Sequence, residues 1–532
     1  MILFSFVLQN AQTIKFPNVN SDLRQKCVDG LLSWLKSPAS TKCYRPCLET
    51  LRILSRDKDQ LECLLTEETL SLLMLHAGLK DLSEEEEDED IVSNNQDGDA
   101  EVIVEAQKCL CNLIFNSPKA QKMCSKNGCV EGIVQRLKTY KDPELKFDIK
   151  FFDMKMLFLL TALCQDTRPK IRHDMHGITY LVEVIDLSLR DAEEKGSPLT
   201  DQEVELCCEI LKILFNLTVS VDKNALDEEE EAHFMRLVSV LHDLLICQTA
   251  TKDKREELQR SHSEPVNHMP RDCYEELLTP LNEGAVGGME NKDVEYDGKN
   301  MEAILALLDF LYKRLDKPTK SLKESLIPIL HCLCETCRSN RSIRKFCRTK
   351  VLPPLRDEVK HLPQEGDSLR NRLCKLLTSA VSEVKDLCAD FLFILCKESV
   401  DRMVKYTGYG NAAGLLANRG LMLGGRGDGN YSSDSEDSET EEYSQLKEQI
   451  NPVTGKLEGE KSNPCEGMTE EQKEYEAMKL VGLMDKLQRG GLVQPSRIGE
   501  DGRPVPVEHM LELTEGINLP PQARGTGDSD SD

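Results

Sequence analysis

The stretch Glu105-Ala-Gln-Lys-Cys-Leu-Cys-Asn-Leu-Ile-Phe-Asn116 decides the fold, because its pattern returns along the chain. Its frame is Glu-x-x-Lys-x-Leu-x-Asn, and the same frame occupies residues 209–216. Looser copies begin at residues 49, 152 and 302, and the copies at 105 and 152 are 47 residues apart. A repeat of this length is typical of stacked helical units. The sequence therefore predicts an all-α, armadillo/HEAT-like, right-handed superhelical solenoid.

The repeated frame also predicts two faces on each helix. At 100° per residue, the Glu, Lys and Asn positions fall within about 60° of one another and the Leu lies roughly opposite. Each unit would bury the Leu stripe and present the other stripe to a ligand in the inner groove. The residues of this second, ligand-facing stripe are Arg52, Arg56, Lys108, Asn112, Lys212 and Asn216.

Two interpretations of this stripe remain open. The Glu–Lys pairs at i, i+3 are also what ordinary surface ion pairs look like. As a peptide groove, its amides would bond the backbone of a peptide and its bases would bind carboxylates.

Composition excludes several classes of protein. The formal charge is −26, which argues against a general nucleic-acid binder, because phosphate affinity needs a basic surface. The 21 cysteines lie mostly in apolar helical stretches, where free Cys behaves as a small hydrophobe. No nucleophile–base pair or set of four metal ligands can be assembled, so we expect neither an enzyme nor a cofactor.

The first residues, Met-Ile-Leu-Phe-Ser-Phe-Val-Leu, are apolar but lack the basic start and small-residue cleavage site of a secretory signal. They also fall short of the ~20 residues that a membrane span needs. We therefore expect a cytoplasmic protein.

Changes in composition divide the chain. Hydrophobic density falls over residues 249–300, which predicts a repeat that is weak or replaced by loop. Thr469-x-x-Gln472 is a capping box at the start of an amphipathic helix. The expected segments are a helical-repeat domain (12–400), a Gly-rich linker (401–430), an acidic phosphorylatable segment (431–445), a turn plus amphipathic helix (446–490) and a disordered tail (491–532).

A second basic cluster and an acidic segment form a complementary pair. The cluster includes Arg341, Arg344, Lys345 and Arg348. Ser433 and Ser438 each have a Glu three residues later, which suits an acidophilic kinase. Phosphate on either serine would add charge that seeks Arg partners. The sequence thus predicts that the phosphorylated segment docks on the cluster.

Several stretches resemble the synembryn family. They are Leu51-Arg-Ile-Leu-Ser-Arg-Asp57, Cys109-Leu-Cys-Asn-Leu113, Phe151-Phe-Asp153, Val351-Leu-Pro-Pro-Leu-Arg356, Lys405-Tyr-Thr-Gly-Tyr-Gly-Asn-Ala-Ala-Gly-Leu-Leu416 and Met468-Thr-Glu-Glu-Gln-Lys473. The resemblance runs from about residue 15 to 490, and the Tyr-Gly-Asn-Ala-Ala-Gly stretch is the most specific part of it.

This resemblance implies a cytosolic exchange factor and folding chaperone for G-protein α subunits. The groove would bind the C-terminal helix of the α subunit through Arg52, Arg56, Asn112 and Phe152, and the later helix would clasp the GTPase domain. Partners would be α subunits that are GDP-bound or nucleotide-free, not the βγ-bound trimer. Membrane association would be peripheral, through the α subunit, at the cell cortex. Ser433 and Ser438 match the family's phosphorylated positions.

A function of a different class stays open. The chain could be a passive armadillo-repeat adaptor that binds a helical peptide without any effect on nucleotide.

Overall fold

The structure is a computed structural model, and it is all-α apart from short hairpins, as the repeat predicts. It describes residues 7, 9–17, 19–79, 96–222, 226–280, 294–316, 322–429, 431, 439–459 and 467–507. Two compact units divide the chain. The first consists of residues 1–316 and 331–342, and the second of residues 317–330 and 343–532.

The helices up to the first long break in the pattern are α1 Ser21–Leu35, α2 Thr41–Leu54, α3 Glu67–His76, α4 Gln96–Asn116, α5 Pro118–Cys124, α6 Cys129–Leu137, α7 Phe147–Leu163, α8 Thr167–Pro169, α9 Gly177–Lys195, α10 Asp201–Thr218, α11 Glu228–Ile246 and α12 Lys252–Val266. A π-helical turn, Lys170–Asp174, follows α8. Short 3-10 turns are Pro38–Ser40, Lys58–Gln60, Glu62–Leu64 and Asp272–Leu277.

The remaining helices are α13 Glu302–Leu315, α14 Leu322–Ser339, α15 Arg341–Val351, α16 Leu369–Leu376, α17 Ser382–Leu395, α18 Val400–Thr407, α19 Tyr409–Arg419, α20 Glu441–Leu446 and α21 Glu470–Arg489. Further 3-10 turns are Asp357–Lys360 and Lys447–Gln449. Strands β1 Thr279–Pro280, β2 Glu295–Tyr296 and β3 Lys299–Asn300 form an antiparallel sheet of order β1-β3-β2. Two antiparallel hairpins follow, made of β4 Ile450–Asn451, β5 Lys456–Leu457, β6 Ser496–Ile498 and β7 Pro504–Pro506.

Five helices of the first unit form a ladder, in which α2 packs on α4, α4 on α7, α7 on α10 and α10 on α12. A second layer of α1, α3, α6, α9 and α11 covers one side of it. The Leu position of the repeated frame fills the packing: Leu110, Leu157 and Leu214 are fully buried. Helices α4, α7 and α10 thus bury the stripe that the sequence assigns to the core.

A buried polar network ties the two layers together below α4 and α7. Asp153 is fully buried and accepts hydrogen bonds from Arg136 of α6 at 2.6 and 2.8 Å and from Gln107 of α4 at 2.7 Å. Tyr140 donates a further bond at 3.2 Å. Because every partner compensates the buried carboxylate, the network holds three helices in one arrangement.

The sequence predicts a repeat that is weak or replaced by loop over residues 249–300. This prediction is wrong for the first part of that range, Lys252–Val266. Helix α12 is regular and occupies the last place of the ladder described above, although it carries polar residues. Its polar groups are partly satisfied locally. Ser263 donates to the Gln259 carbonyl at 2.9 Å, and Tyr274 donates to the Val266 carbonyl at 2.7 Å.

Residues 401–430 also differ from the predicted linker, because α18 and α19 form there and bury Tyr406 and Leu416. The glycines act as helix boundaries: Gly408 (φ 74°) separates the two helices, and Gly420 (φ 70°) ends the second in a left-handed cap. In the predicted tail, residues 496–506 form the β6–β7 hairpin. Residues 508–532 lie outside the described part of the chain.

The helix predicted from the capping box is confirmed. It spans Glu470–Arg489, with reciprocal bonds between Thr469 and Gln472 at its start. None of its residues is buried. The division of the chain into functional segments stays a prediction.

Removing Asp153 tests the polar network. Asp153→Ala leaves the Arg136 guanidinium without its buried partner, so we expect the free energy of unfolding to fall by about 3–5 kcal/mol. Denaturant titration followed by circular dichroism measures it. The matched control is Lys141→Ala, which removes an exposed ion pair with Glu183 and should cost about 1 kcal/mol or less. Equal losses for the two variants would contradict this account.

Because His262 of α12 is buried, we expect the stability of the fold to depend on pH. His262 is fully buried, and neither ring nitrogen makes a hydrogen bond of good geometry within the described residues. Burial lowers the pKa of His262 from 6.5 to about 4; the Leu241 backbone opposes this shift, and His242 adds a smaller lowering effect. The pKa of His262 in the folded state lies below its pKa in the unfolded state. The stability that neutral His262 contributes is therefore complete above pH 6.5 and is lost as the pH falls towards 4.

The expected loss at His262 is about 2 kcal/mol between pH 7.5 and pH 5. His262→Leu removes the titrating group, so its free energy of unfolding should fall less over the same range. Denaturant titrations of both proteins at the two pH values make the comparison. Identical pH dependence in the two would show that His262 is not responsible.

Candidate functional site

The accessible side of the ladder carries the stripe that the sequence singles out. Arg52 and Arg56 lie on α2, Lys108 and Asn112 on α4, Phe152 on α7, and Lys212 and Asn216 on α10. Of these, Asn216 is buried and the others are partly exposed. We call this surface the ladder face.

A shared carboxylate organises the first half of the ladder face. Glu105 is 7% exposed and accepts hydrogen bonds from Arg52 Nε, across the helix interface, and from Lys108 Nζ at 2.9 Å. Two bases thus surround one acid, and the group keeps a net positive charge.

The same arrangement recurs one repeat later. Glu209, also 7% exposed, lies 3.0 Å from Lys212 Nζ and 3.5 Å from Lys155 Nζ of the preceding ladder helix. Each triad fastens two neighbouring helices and leaves one excess positive charge on the surface.

Arg56 adds a further cation beside the first triad. It donates to the Ala11 carbonyl at 2.7 Å. Partial burial, and then the nearby Arg52 guanidinium, lower the pKa of Arg56, while Glu105 opposes the shift. The like charge of Arg52 indicates a locally positive potential, although the whole chain is strongly acidic.

Aromatic rings lie under the lysines of both triads. The ammonium of Lys108 is 5.2 Å from the centre of the Phe152 ring, and that of Lys155 is 4.8 Å from the Phe151 ring. Lys212 lies 5.8 Å from Phe158 in the same way. These rings are partly exposed, so the face alternates cations with apolar surface.

The two asparagines both donate hydrogen bonds to the preceding ladder helix. Asn112 donates to the Arg52 carbonyl at 3.2 Å and to Ser55 Oγ at 2.9 Å, and so joins α4 to α2. Asn216 is 6% exposed and donates to Thr161 Oγ1 at 3.0 Å, joining α10 to α7. The prediction that Asn216 faces a ligand is therefore wrong, because its side chain belongs to the helix packing.

A cleft of about 670 Å³ opens at the amino-terminal ends of the ladder helices. Its lining includes Arg45 of α2, Glu105 and Lys108 of α4, Lys146 at the start of α7 and Gln202 of α10. The ladder face is therefore indented next to the first triad.

Comparison with known proteins places the chain in a family. The family model described as guanine nucleotide exchange factor synembryn matches residues 47–503. The chain belongs to the synembryn family. Among the relatives, Chaperone Ric-8A from Gallus gallus is 46% identical over 94% of this chain and 92% of its own length. Chaperone Ric-8A from Danio rerio is 43% identical (98% and 95%), and that from Mus musculus 40% (100% and 96%).

Within this synembryn-family chain, three parts of the ladder face were missed by sequence reasoning. Lys155 stood in a looser copy of the frame and was not carried into the site. Glu105 and Glu209 appeared as surface partners of i, i+3 lysines, whereas each also bridges to the preceding helix. Phe151 and Phe158 could have been found from their spacing around Lys155, which places them on one side of α7.

The second basic cluster lies on α15. Arg344 is buried and stacks on the Tyr431 ring at 4.7 Å, and Arg348 lies 3.4 Å from the Tyr406 hydroxyl. Arg341 is exposed and Lys345 partly so. Ser433 and Ser438 lie outside the described residues, so docking of the phosphorylated segment stays a prediction.

The described residues on either side of positions 432–438 form contacts within the second unit. Tyr431 donates to Glu398 at 3.1 Å on one side. On the other side, Glu439 binds Lys447 at 2.9 Å and lies 3.8 Å from Lys405. Tyr431 and Glu439 thus each lie next to a basic side chain, Arg344 and Lys405 respectively.

No group of three or more His, Cys, Asp or Glu side chains in the described ranges is arranged to hold a metal ion. Over those same ranges, none of the helices combines the length and apolarity that crossing a bilayer demands.

Proposed function

We propose that this chain is a guanine-nucleotide exchange factor and folding chaperone for G-protein α subunits, and that the ladder face binds the α subunit's C-terminal helix. The observation that carries the proposal is the pair of triads, Arg52–Glu105–Lys108 and Lys155–Glu209–Lys212, repeated on adjoining ladder helices. Membership of the synembryn family supplies the class of partner.

The charge of the triads suits the end of a helix. A helix C-terminus carries the negative end of the macrodipole, and the last residue of a protein adds a carboxylate. The excess positive charge beside Arg56 would bind these groups, while the partly exposed phenylalanines would cover apolar side chains of the same helix.

Exchange then needs no covalent chemistry. If the chain binds nucleotide-free α subunit more tightly than the GDP-bound form, it must lower the affinity for GDP by the same factor. Withdrawing the C-terminal helix onto the ladder face would stabilise the open, nucleotide-free state. GTP would favour the closed state and release the product. A hold on an open, incompletely folded domain is also what a chaperone requires.

Helix α21 supplies a second contact in this proposal. It is 20 residues long, and its large apolar side chains Tyr475, Met478, Leu480, Val481 and Leu483 are at least half exposed. An exposed apolar helix of this size is typical of an interaction segment. We propose that it clasps the GTPase domain of the α subunit.

We further propose that an acidophilic kinase modifies Ser433 and Ser438 and that the phosphates bind Arg341, Arg344, Lys345 and Arg348. The position of Tyr431 against Arg344 supports this, since the segment begins beside the cluster. The protein would act in the cytoplasm and reach the cell cortex through its partner.

Charge reversal at Arg52 tests the ladder face. Arg52→Glu places a carboxylate beside Glu105, so we expect affinity for an α subunit and for its isolated C-terminal peptide to fall about 10- to 100-fold, with a matching loss of stimulated GDP release. Titration calorimetry and release of labelled GDP provide the measurements. Lys195→Glu, an equal charge change on the exposed end of α9, is the control.

Three results would separate the alternatives. Unchanged peptide affinity in Arg52→Glu would remove the ladder face from the proposal. Binding of the α subunit without any acceleration of GDP release or folding would leave a passive adaptor. Loss of binding in Lys195→Glu as well would point to a general electrostatic effect.

The serines have their own test. Phosphorylated protein should resist limited proteolysis within residues 431–460, because new ion pairs fasten the segment, and Ser433→Ala/Ser438→Ala should abolish that protection. Proteolysis with and without kinase treatment measures it. Thr440 is the internal control: it is a nearby hydroxyl residue that we expect not to contribute to the protection. Its hydroxyl already caps α20 and donates to the Leu355 carbonyl. Equal cleavage rates for the phosphorylated protein and the double variant would exclude docking.

A further inference from the structure

A row of exposed apolar side chains borders the ladder face and takes no part in the triads. Phe115 is 68% exposed, Leu163 45% and Val219 38%. They stand at the carboxyl ends of α4, α7 and α10, three consecutive helices of the ladder.

The row follows the repeat of the sequence. Phe115 comes ten residues after Glu105, and Val219 ten residues after Glu209, so both occupy the same position of the repeated unit. Single exposed hydrophobic residues are ordinary on any protein surface. Large ones at the ends of three successive packed helices instead form a row, which we call the edge.

This edge lies on the same side of the helices as the basic residues. Phe115 follows Lys108 by seven residues and Val219 follows Lys212 by seven, a spacing of about two helical turns. Leu163 follows Lys155 by eight residues, which rotates it about 80° beyond two turns. At 1.5 Å per residue, the edge and the basic strip are about 10 Å apart along the ladder helices.

That separation matches one helix. An α-helix with side chains is about 10–12 Å in diameter, so a partner helix that crosses the ladder fits between the edge and the strip. The floor between them is formed by partly buried residues, among them Cys111, Asn112, Phe158 and Phe215.

We propose that Phe115, Leu163 and Val219 are a second recognition element, which selects a partner helix with an apolar side as well as an acidic one. Adjacent ladder helices are about 8–10 Å apart, so the partner meets a new edge residue about every five to seven residues of its own. The ligand is an amphipathic helix with apolar residues at near-heptad spacing, carboxylates on the opposite flank and at least ~14 residues of length. This inference rests on the proposed function, because the occupant is the α subunit's C-terminal helix.

The test uses full-length protein and a synthetic peptide of the last ~20 residues of an α subunit. The variant Phe115→Ser/Leu163→Ser/Val219→Ser should bind it at least 10-fold more weakly, with the salt dependence of affinity unchanged. Arg52→Glu should instead reduce the salt dependence, because it removes an ionic contact. The matched control is Leu75→Ser, a residue of α3 outside the ladder that is 67% exposed.

Peptide variants locate the contact. Alanine at the apolar positions of the peptide should weaken binding to the wild-type protein and have little further effect on the triple variant, because the two changes remove one interaction. All three edge residues are at least one-third exposed, so thermal unfolding of the variant should match that of the wild type.

Each outcome decides something. Undiminished peptide affinity in the triple variant would contradict a role of the edge residues in recognition. It would not affect the proposal that the ladder face binds the peptide. A wild-type protein that does not bind the peptide would overturn the proposed function itself. A triple variant with normal peptide affinity but a smaller oligomeric size would show that the edge is covered by a second copy of the chain, which also overturns the inference.

Discussion

The three inner ladder helices, α4, α7 and α10, must each bury a leucine stripe against two neighbours, and that constraint places the opposite stripe on a common surface. Leu110, Leu157 and Leu214 have no exposed surface, so the rotation of α4, α7 and α10 about their axes is fixed. The basic and aromatic residues then follow from the helical period alone. Stability and recognition therefore share one cause, because a helix that turned to expose its lysines differently would lose its core.

The polar bonds between ladder helices add register to this packing. Apolar stripes tolerate sliding of one helix along another, whereas a hydrogen bond does not. Asn112 donates a hydrogen bond to α2, and Asn216 donates one to α7. Glu105 and Glu209 each form an ion pair with a base from the preceding ladder helix. In some proteins, buried polar groups that must be satisfied specify the arrangement of helices. Here they keep the bases of successive helices in line.

Sequence reasoning found the ladder because its signal is periodic and local. The frame at Glu105 and Glu209 predicted the helices, the buried leucines and the bases. It could not show that Asn216 is buried, since the depth of a residue depends on how closely the next helix approaches. It also misjudged residues 401–430 and 496–506, where Gly408 and Gly420 act as helix boundaries and short strands pair. Glycine content alone does not distinguish a cap from a linker.

The net charge of −26 and a site that binds acidic groups are compatible because salt limits the reach of charge. At physiological ionic strength the Debye length is about 8 Å, so acidic residues farther than this from the ladder face are largely screened there. Each triad itself has two bases and one carboxylate. The phenylalanines beside them reduce access of water, which strengthens a short-range ion pair. Recognition on this face therefore depends on the residues that contact the ligand. The apolar residues contribute as well, because excluding water strengthens the ion pairs beside them.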